Sequence, residues 1–552
     1  MPGVVPPAQG PSRPGGRSPV PPGVRSGGPD RKGRDRTKPA RPRGGSAAEP
    51  APSGDERDRR AAGDASAEQS GKALAEGAER RRPGSIGGAV LPSALPAAGG
   101  SPFTVSQDVE VDIEDVAQGG WCVARPEGLP VMFVRHTLPG ERVVARVTEV
   151  TSKFARADAV EILRASPDRV TAPCRHARPG GCGGCDWQHA SLPAQRALKA
   201  AVIAQQLRRL AGIDHEVTVE PLPGDSTDTA APGAAPGLGW RTRVQFAVGP
   251  DGVAGLRGHR SHEVVDIGDC PLAHEGIRAL DITGHDWTGA AAVEAAVGGA
   301  DAPENVAVTV ISAAPRAGRG QPGRGQHGRG QRGPGQQAPE RPGAGLPHGS
   351  GRLPGHKRTL IEGRPYLAEQ AAGRIWQVSA EGFWQVHPAA AGTLSQAVIA
   401  ALAPEPGDSV LDLYCGAGLF AGAVATLVGR DGAVTGIESG PGAVRSARQN
   451  LSDLPWVTIR KADVAQALTD ESLPSARLVI ADPPRAGLAR EVAASLAADS
   501  PAERFAYVSC DPATLARDLA LLAAGGWRLA GLRAFDAFPM THHVECVATL
   551  TR

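Results

Sequence analysis

Four of the chain's eight cysteines are spaced like a metal-binding set. Cys174-x7-Cys182-Gly-Gly-Cys185 places three thiols close together, and Cys270, in Gly-Asp-Cys-Pro271, adds a distant fourth. Thiolates are metal ligands, and the glycines between Cys182 and Cys185 let the backbone turn around the sulfurs. Two groups fit four such ligands: a [4Fe–4S] cluster or structural zinc. Zinc ribbons usually show two Cys-x2-Cys knuckles, whereas here the fourth cysteine stands alone, so the spacing favours the cluster. A fifth cysteine sits differently. Cys510 follows the apolar run Phe505-Ala-Tyr-Val-Ser509 and precedes Asp-Pro512, much as Asp482-Pro-Pro-Arg485 follows Leu478-Val-Ile-Ala481. A thiol and carboxylates at neighbouring strand ends are residue types for nucleophilic and acid–base chemistry.

The elements needed to position these residues read as a parallel sheet. Val410 to Leu413 is a short apolar run that reads as a buried strand. It leads into Gly416-x-Gly418, and an alanine-rich helical pattern begins at Phe420. Such a strand–glycine turn–helix unit lets a nucleotide-like ligand approach the backbone. A second strand, Ala433 to Ile437, ends at Glu438, where a carboxylate can accept hydrogen bonds from two ribose hydroxyls. A third, Val457 to Arg460, leads to Asp463, placed for an adenine amino group. Ligands in such sheets bind at the carboxyl ends of the strands, so Gly416, Glu438, Asp482 and Cys510 are predicted to converge on one edge. Trp527 to Phe535 and Val544 to Leu550 close the sheet, with His542-His543-Val-Glu545 at their junction. Gly416-x-Gly-x-x-Ala421 also satisfies the pattern of an NAD-dependent oxidoreductase, but Asp482-Pro-Pro-Arg485 and Cys510 have no role in one.

Upstream, the composition changes twice. Residues 1 to about 102 are rich in Pro, Gly, Ala and Arg and cannot bury enough apolar surface to offset their ordering entropy, so a disordered tail is expected. From Phe103, alternating runs (109–113, 131–134, 143–147 and 157–162) read as strands of a small barrel over 103–163. Together with Gly119-Gly120, Phe133-Val134 and the Leu138-Pro-Gly-Glu141 turn, this segment resembles a TRAM domain, a small RNA-binding barrel. Residues 164–375 read as a β-rich domain carrying the four cysteines. Arg241 and Arg243 are predicted to share a sheet face there, as phosphate contacts or as solvated side chains. An Arg/Gly/Gln-rich insertion over 313–358 resembles RNA-binding RGG segments. The formal charge of +2 is divided: residues 1–100 carry +7 and 313–358 carry +8, leaving −13 elsewhere. No run reads as a membrane span or a signal peptide, which predicts a cytoplasmic protein with reduced thiols and no membrane partner.

Asp482-Pro-Pro-Arg485, Ser509-Cys-Asp-Pro512, His543-Val-Glu545 and the four-cysteine set resemble the RNA uracil-C5 methyltransferases, enzymes that use S-adenosylmethionine to make 5-methyluridine. The resemblance runs from residue 103 to the C-terminus, omitting the basic insertion. It implies an α/β, Rossmann-like methyltransferase domain over 376–552, preceded by the barrel and a small β-rich cluster-binding domain. By position, Cys510 would be the nucleophile and Glu545 the base. Gln385, Tyr414, Gly416, Gly418, Leu419, Glu438, Asp463 and Asp482 would form the S-adenosylmethionine and uracil site, and Cys174, Cys182, Cys185 and Cys270 would hold the cluster. The chemistry is coherent: C5 of uracil becomes nucleophilic only after a thiolate adds at C6, and a base must then remove the C5 proton. Leu419 and His387 stand where family members often have Asn, and the first cysteine gap is longer than usual. Ribosomal or transfer RNA is the implied partner, no obligate protein partner is inferred, and a non-catalytic RNA-binding module is the competing reading.

Overall fold

A computed structural model describes residues 102–225, 235–299, 304–313, 356–498 and 501–552. The predicted disorder of the N-terminal tail and the interior of the basic insertion lie outside these residues.

The predicted barrel strands are present. Six strands pair in the order Asp108–Asp112, Arg142–Val150, Phe154–Arg164, Val131–Arg135, Trp121–Ala124, Asp115–Ala117. Alternation does the sorting: Val143, Ala145 and Val147 face a core with Met132, Val134 and Ala157, while Arg142 and Arg146 face solvent. Gly119 and Gly120, at φ +91° and +81°, make the turn into Trp121, a conformation that favours glycine.

The cysteine-bearing region has its own six-stranded antiparallel sheet, ordered Val264–Val265, Ala254–Arg257, Arg243–Val248, Ala292–Val297, Val306–Ala313, His356–Gly363. The insertion is shorter than 313–358, because Ala313 pairs with His356, and Lys357 and Arg358 lie in the ladder. Arg358 is bonded there to Glu294.

The last domain is built on eight strands, ordered Val457–Lys461, Ala433–Glu438, Ser409–Leu413, Leu478–Ala481, Arg504–Ser509, Glu545–Thr551, Arg528–Asp536, Val219–Pro221. The first five are parallel, and Glu545–Thr551 runs antiparallel to both neighbours. Leu478–Ala481 is buried throughout, as expected for a strand covered on both faces. Strand order reverses between Ser409–Leu413 and Leu478–Ala481, which opens a crevice at their carboxyl ends.

Two predicted boundaries move. The hairpin Tyr366–Ala371/Arg374–Ser379 belongs to the last domain, since Trp376 is fully buried in its core and lies over Gly422, where a Cβ would come 2.6 Å from the indole. The helix Leu192–Gln206 and the strand Val219–Pro221, placed by sequence in the central domain, also join the large sheet: Ile203 and Val219 enter its core. Among the described residues no helix is long and apolar enough to cross a membrane.

Candidate active site

The glycine turn is held from behind by two carboxylates. Glu438, at the end of its strand, accepts from Gly416 N (3.1 Å) and Gly440 N (2.6 Å). Asp412, which the sequence reading passed over, is wholly buried and accepts from Ala421 N (2.8 Å), while its Oδ1 has no hydrogen-bond partner. Burial, then Asp482 and Glu438, push its carboxyl well above the usual carboxylate range. The signal was present: an ionisable residue inside Val410-Leu-Asp-Leu413 is costly unless it has a task. Gly416 and Gly418 have φ of +55° and +92°, and Tyr414 adopts φ +63° although it has a side chain. A Cβ at Gly416 would point into open space, whereas one at Gly418 would come within 2.8 Å of Leu451. The first glycine therefore fronts the crevice, and the second lets the helix Leu419–Val428 pack closely. Leu419 is buried at the start of that helix, so its contribution to the crevice is its backbone N–H.

The other candidates divide. Asp463 stands at the carboxyl end of its strand, exposed, and caps the helix Val464–Leu468 by accepting from Gln466 N (3.2 Å). Tyr414 is half-buried, and burial, then Asp463, raise its hydroxyl to about 12. Gln385 is buried beside Val386, whose carbonyl accepts from Thr242 N and Oγ1, both at 2.9 Å. No hydrogen bond joins the Gln385 side chain to the other candidates among the described residues.

On the opposite side of the crevice four ionisable side chains act on one another: Cys510, Glu545, Asp482 and Arg485. Cys510 is half-buried, and burial, Glu545 and Asp482 raise its thiol while Arg485 opposes them. Glu545 is buried, at 5% exposure. Burial and then Asp482 raise its carboxyl well above the usual range, again against Arg485. Asp482 is raised by burial to about 7. Arg485 donates to His543 Nδ1 (3.0 Å) and lies 3.9 Å from Asp511. Asp511 caps the helix Pro512–Ala524 through Ala513 N and Thr514 N, and it accepts from Gln118 of the barrel (3.2 Å). A thiol, two carboxyls of raised proton affinity and a guanidinium thus share one strand-end cluster.

The four distant cysteines also come together. Cys174, Cys182, Cys185 and Cys270 line one narrow cavity with Gln188 and Arg241. Three of the sulfurs accept N–H bonds: Cys174 from His176 N (3.4 Å), Cys182 from Gly184 N (3.3 Å) and Cys185 from Gln188 Nε2 (3.0 Å). Burial raises the Cys182 thiol to about 11 and holds the Cys185 thiol well above the usual thiol range. Among the described residues no group of three or more His, Cys, Asp or Glu is arranged to hold a metal ion, although the four cysteines line the same cavity. Arg243 does not serve phosphates. It is bonded to Glu369 (3.2 Å) and donates to the carbonyls of Ala380 and Gly382.

A mostly parallel sheet with one antiparallel strand near its edge, and a glycine turn braced by an acid at the reversal point, define a Rossmann-like methyltransferase domain. Residues 367–552 match the family described as tRNA (uracil-5-)-methyltransferase, and residues 102–160 match the TRAM domain. An uncharacterized RNA methyltransferase of Streptomyces coelicolor is 48% identical over 453 residues, 81% of this chain and 93% of that one. One of Bifidobacterium longum is 34% identical over 466 residues, 82% and 98%. A structure of Pyrococcus abyssi tRNA (uracil-54, C5)-methyltransferase in complex with S-adenosyl-L-homocysteine shares the fold, with TM-score 0.54, 22% identity, and coverage of 80% and 99%. The chain belongs to this family of RNA methyltransferases and carries its TRAM domain. Family membership sets aside the oxidoreductase and the non-catalytic readings.

Proposed function

We propose that this protein methylates C5 of a uridine in ribosomal or transfer RNA, with Cys510 as nucleophile, Glu545 as base and S-adenosylmethionine as methyl donor. The observation that carries the reading is the cluster of Cys510, Glu545, Asp482 and Arg485 across the crevice from the glycine turn.

The residues around the turn fit the donor. Glu438 retains lone pairs for ribose hydroxyls after accepting two backbone N–H groups. Gly416 leaves open space where a side chain would stand. The helix at Leu419 begins directly after that turn, with its first N–H groups free for the ligand, and in this reading Asp463, Tyr414 and Gln385 complete the site. When bound there, S-adenosylmethionine supplies an electrophilic methyl group to C5.

Cys510 forms the S–C6 bond as a thiolate, and the C5=C6 electron pair moves onto C5 and O4. Arg485 favours that thiolate and opposes the carboxylates that disfavour it. After C5 has gained its methyl, Glu545 takes the C5 proton, the double bond re-forms and Cys510 leaves. A buried carboxylate with a raised proton affinity is suited to that step. Asp482 orients the uracil edge by hydrogen bonding, and a target inside a helix must first be flipped out.

Cys174, Cys182, Cys185 and Cys270 hold an iron–sulfur cluster in this reading. Four thiols lining one cavity, three of them supplied with N–H donors, fit this reading, since such donors are the usual outer contacts of cluster ligands. Zinc is the alternative occupant.

The test uses S-adenosylmethionine with a labelled methyl, uridine-containing RNA and a denaturing gel. Glu545→Gln should retain the label on a protein–RNA complex, and Cys510→Ala should form neither complex nor product. Normal turnover by Cys510→Ala would overturn the mechanism. Mapping 5-methyluridine in RNA from cells with and without the gene identifies the target.

A further inference from the structure

The loop ahead of Glu545 is held by a residue to which the mechanism assigns no part. Asp186 immediately follows Cys185 and is buried. Its Oδ2 accepts from both His542 N (3.1 Å) and His542 Nδ1 (2.6 Å), although the two residues are 356 positions apart. The backbone N–H groups of Asp186 and Trp187 both donate to Met540 O, at 3.0 and 3.1 Å. From the barrel, Arg135 approaches Asp186 Oδ1 to 4.0 Å, and Gly120 comes so close that a Cβ there would lie 2.8 Å from the Asp186 side chain. Met540 itself is held at φ +69°, a conformation that persists only where surrounding contacts enforce it.

We propose that Asp186 is a positioning residue for the proton-removal step that follows methyl transfer: by clamping the His542 loop to the cysteine-bearing segment and the barrel, it sets the placement of Glu545. The inference rests on the reading of Glu545 given above. The path is short. His542 leads to His543, which is bonded to Arg485, then to buried Val544, then to Glu545 at the start of its strand. A shift of His542 is transmitted to the base within three residues. The same clamp passes close to the nucleophile, because the turn that holds Gly120 also holds Gln118, bonded to Asp511 beside Cys510. Asp186 therefore stands where the cysteine cavity, the RNA-binding barrel and the catalytic loop meet. A misplacement of about 1 Å at reacting groups costs on the order of 10²-fold in rate.

The experiment uses the full chain, with Asp186→Ala, Asp186→Asn and His542→Ala compared with wild type and Glu545→Gln. The expected result for Asp186→Ala is unchanged metal content and RNA affinity, a kcat reduced by about 10- to 100-fold, and a methyl-labelled protein–RNA complex on a denaturing gel. Asp186→Asn, which keeps one oxygen for both His542 donors, should recover most of the kcat. His542→Ala should match Asp186→Ala, and the double variant should be no worse than either, as coupled partners require. A purely structural brace would instead lower RNA affinity, metal content and kcat together without trapping a complex, and that pattern overturns the proposal. A kcat within twofold of wild type, or an Asp186→Asn variant no better than Asp186→Ala, overturns it too. If Glu545→Gln turns over normally while Asp186→Ala still loses kcat and Asp186→Asn restores it, the clamp stands and the assignment of the base falls.

Discussion

Cys510 and Glu545 meet at the mouth of one antiparallel ladder: Ser509 pairs with Cys546, and one step further the first strand gives up Cys510 where the second begins with Glu545. The register of a single strand pair therefore brings a thiol and a carboxyl from 35 residues apart in sequence to the same end of the sheet. The antiparallel strand matters for this. A parallel strand beside Arg504–Ser509 would present its carboxyl end there, whereas Glu545–Thr551 presents its first residue, directly after the His542–His543 loop.

Stability and activity should oppose each other at this mouth. The fold raises Asp482 to about 7 and Glu545 well above the usual range. A carboxyl raised on folding favours the protonated form, so its stabilising contribution is present below the unfolded value and is lost as pH rises through the folded one. Neutral isosteres remove that loss. Asp482→Asn and Glu545→Gln should each raise Tm at pH 8 by about 2–6 °C, with a smaller gain for Asp482→Asn at pH 5, while methylation falls. Calorimetry at the two pH values is the check; a lower Tm at pH 8 would show that the ionised carboxylates are supported by contacts that the cluster of four does not include.

The cysteine cavity yields a spectroscopic prediction. Protein purified without oxygen should be brown, with broad absorption in the visible and iron in stoichiometric amount, and Cys270→Ser should bleach it. Cys270 is the informative choice because it comes from another part of the chain than the other three and closes the cavity. Colourless protein carrying zinc would leave the four-cysteine site intact and replace its occupant.

Much of this was legible in the sequence, and what was not has a common cause. The glycine turn and the strand ends, with Glu438 at one of them, were legible because buried parallel strands are continuous apolar runs and their ends are marked by the first polar residues. Arg243 read as a surface contact because alternation reports which face a residue occupies, not what covers that face; Glu369, 126 residues on, covers it. The boundary at 375 cut a hairpin for the same reason, since only Trp376 meeting Gly422 shows which core owns it. Asp412 hid inside an apolar run, and its partner is a backbone N–H nine residues later. Asp186 and His542 had no local signal at all.

RNA affinity should depend on a small cationic site where the barrel's Trp121 meets the cysteine-bearing region. Arg135, Arg156 and Arg260 lie 6.0, 5.6 and 5.8 Å from the Trp121 ring, with His259 against the same ring at 5.6 Å. Glu149 is bonded to both Arg156 and Arg260. Burial, then Arg156, lower the Arg260 guanidinium, against Glu149. Each phosphate contact contributes about 0.7–0.9 to the slope of log K against log salt. Arg156→Gln/Arg260→Gln should weaken RNA binding several-fold and flatten that slope by about 1–2. Deleting residues 1–100 and 314–355 should flatten it further, because the remainder of the chain is net negative. Unchanged slopes in both variants would place the phosphate contacts elsewhere.

The raised carboxyl of Glu545 also fixes the direction in which pH acts on the last chemical step. Burial and Asp482 hold this group in its acid form to higher pH than an ordinary glutamate. In the proposed mechanism only the ionised form removes the C5 proton, so release of the methylated RNA should accelerate as pH rises. Formation of the adduct also depends on pH through the Cys510 thiol, which burial raises in the same direction, so the two steps must be separated. Adduct formed at pH 6 with labelled methyl and a limiting amount of RNA, then shifted to pH 8, isolates release from formation. The labelled complex should decay faster at pH 8 than in a sample kept at pH 6, and Asp482→Asn, which takes away the second-largest cause of the raised proton affinity, should shift the acceleration to lower pH. Decay that is independent of pH in wild type would remove Glu545 as the base, and would set aside His543 as well, since an imidazole also gains basicity between pH 6 and pH 8.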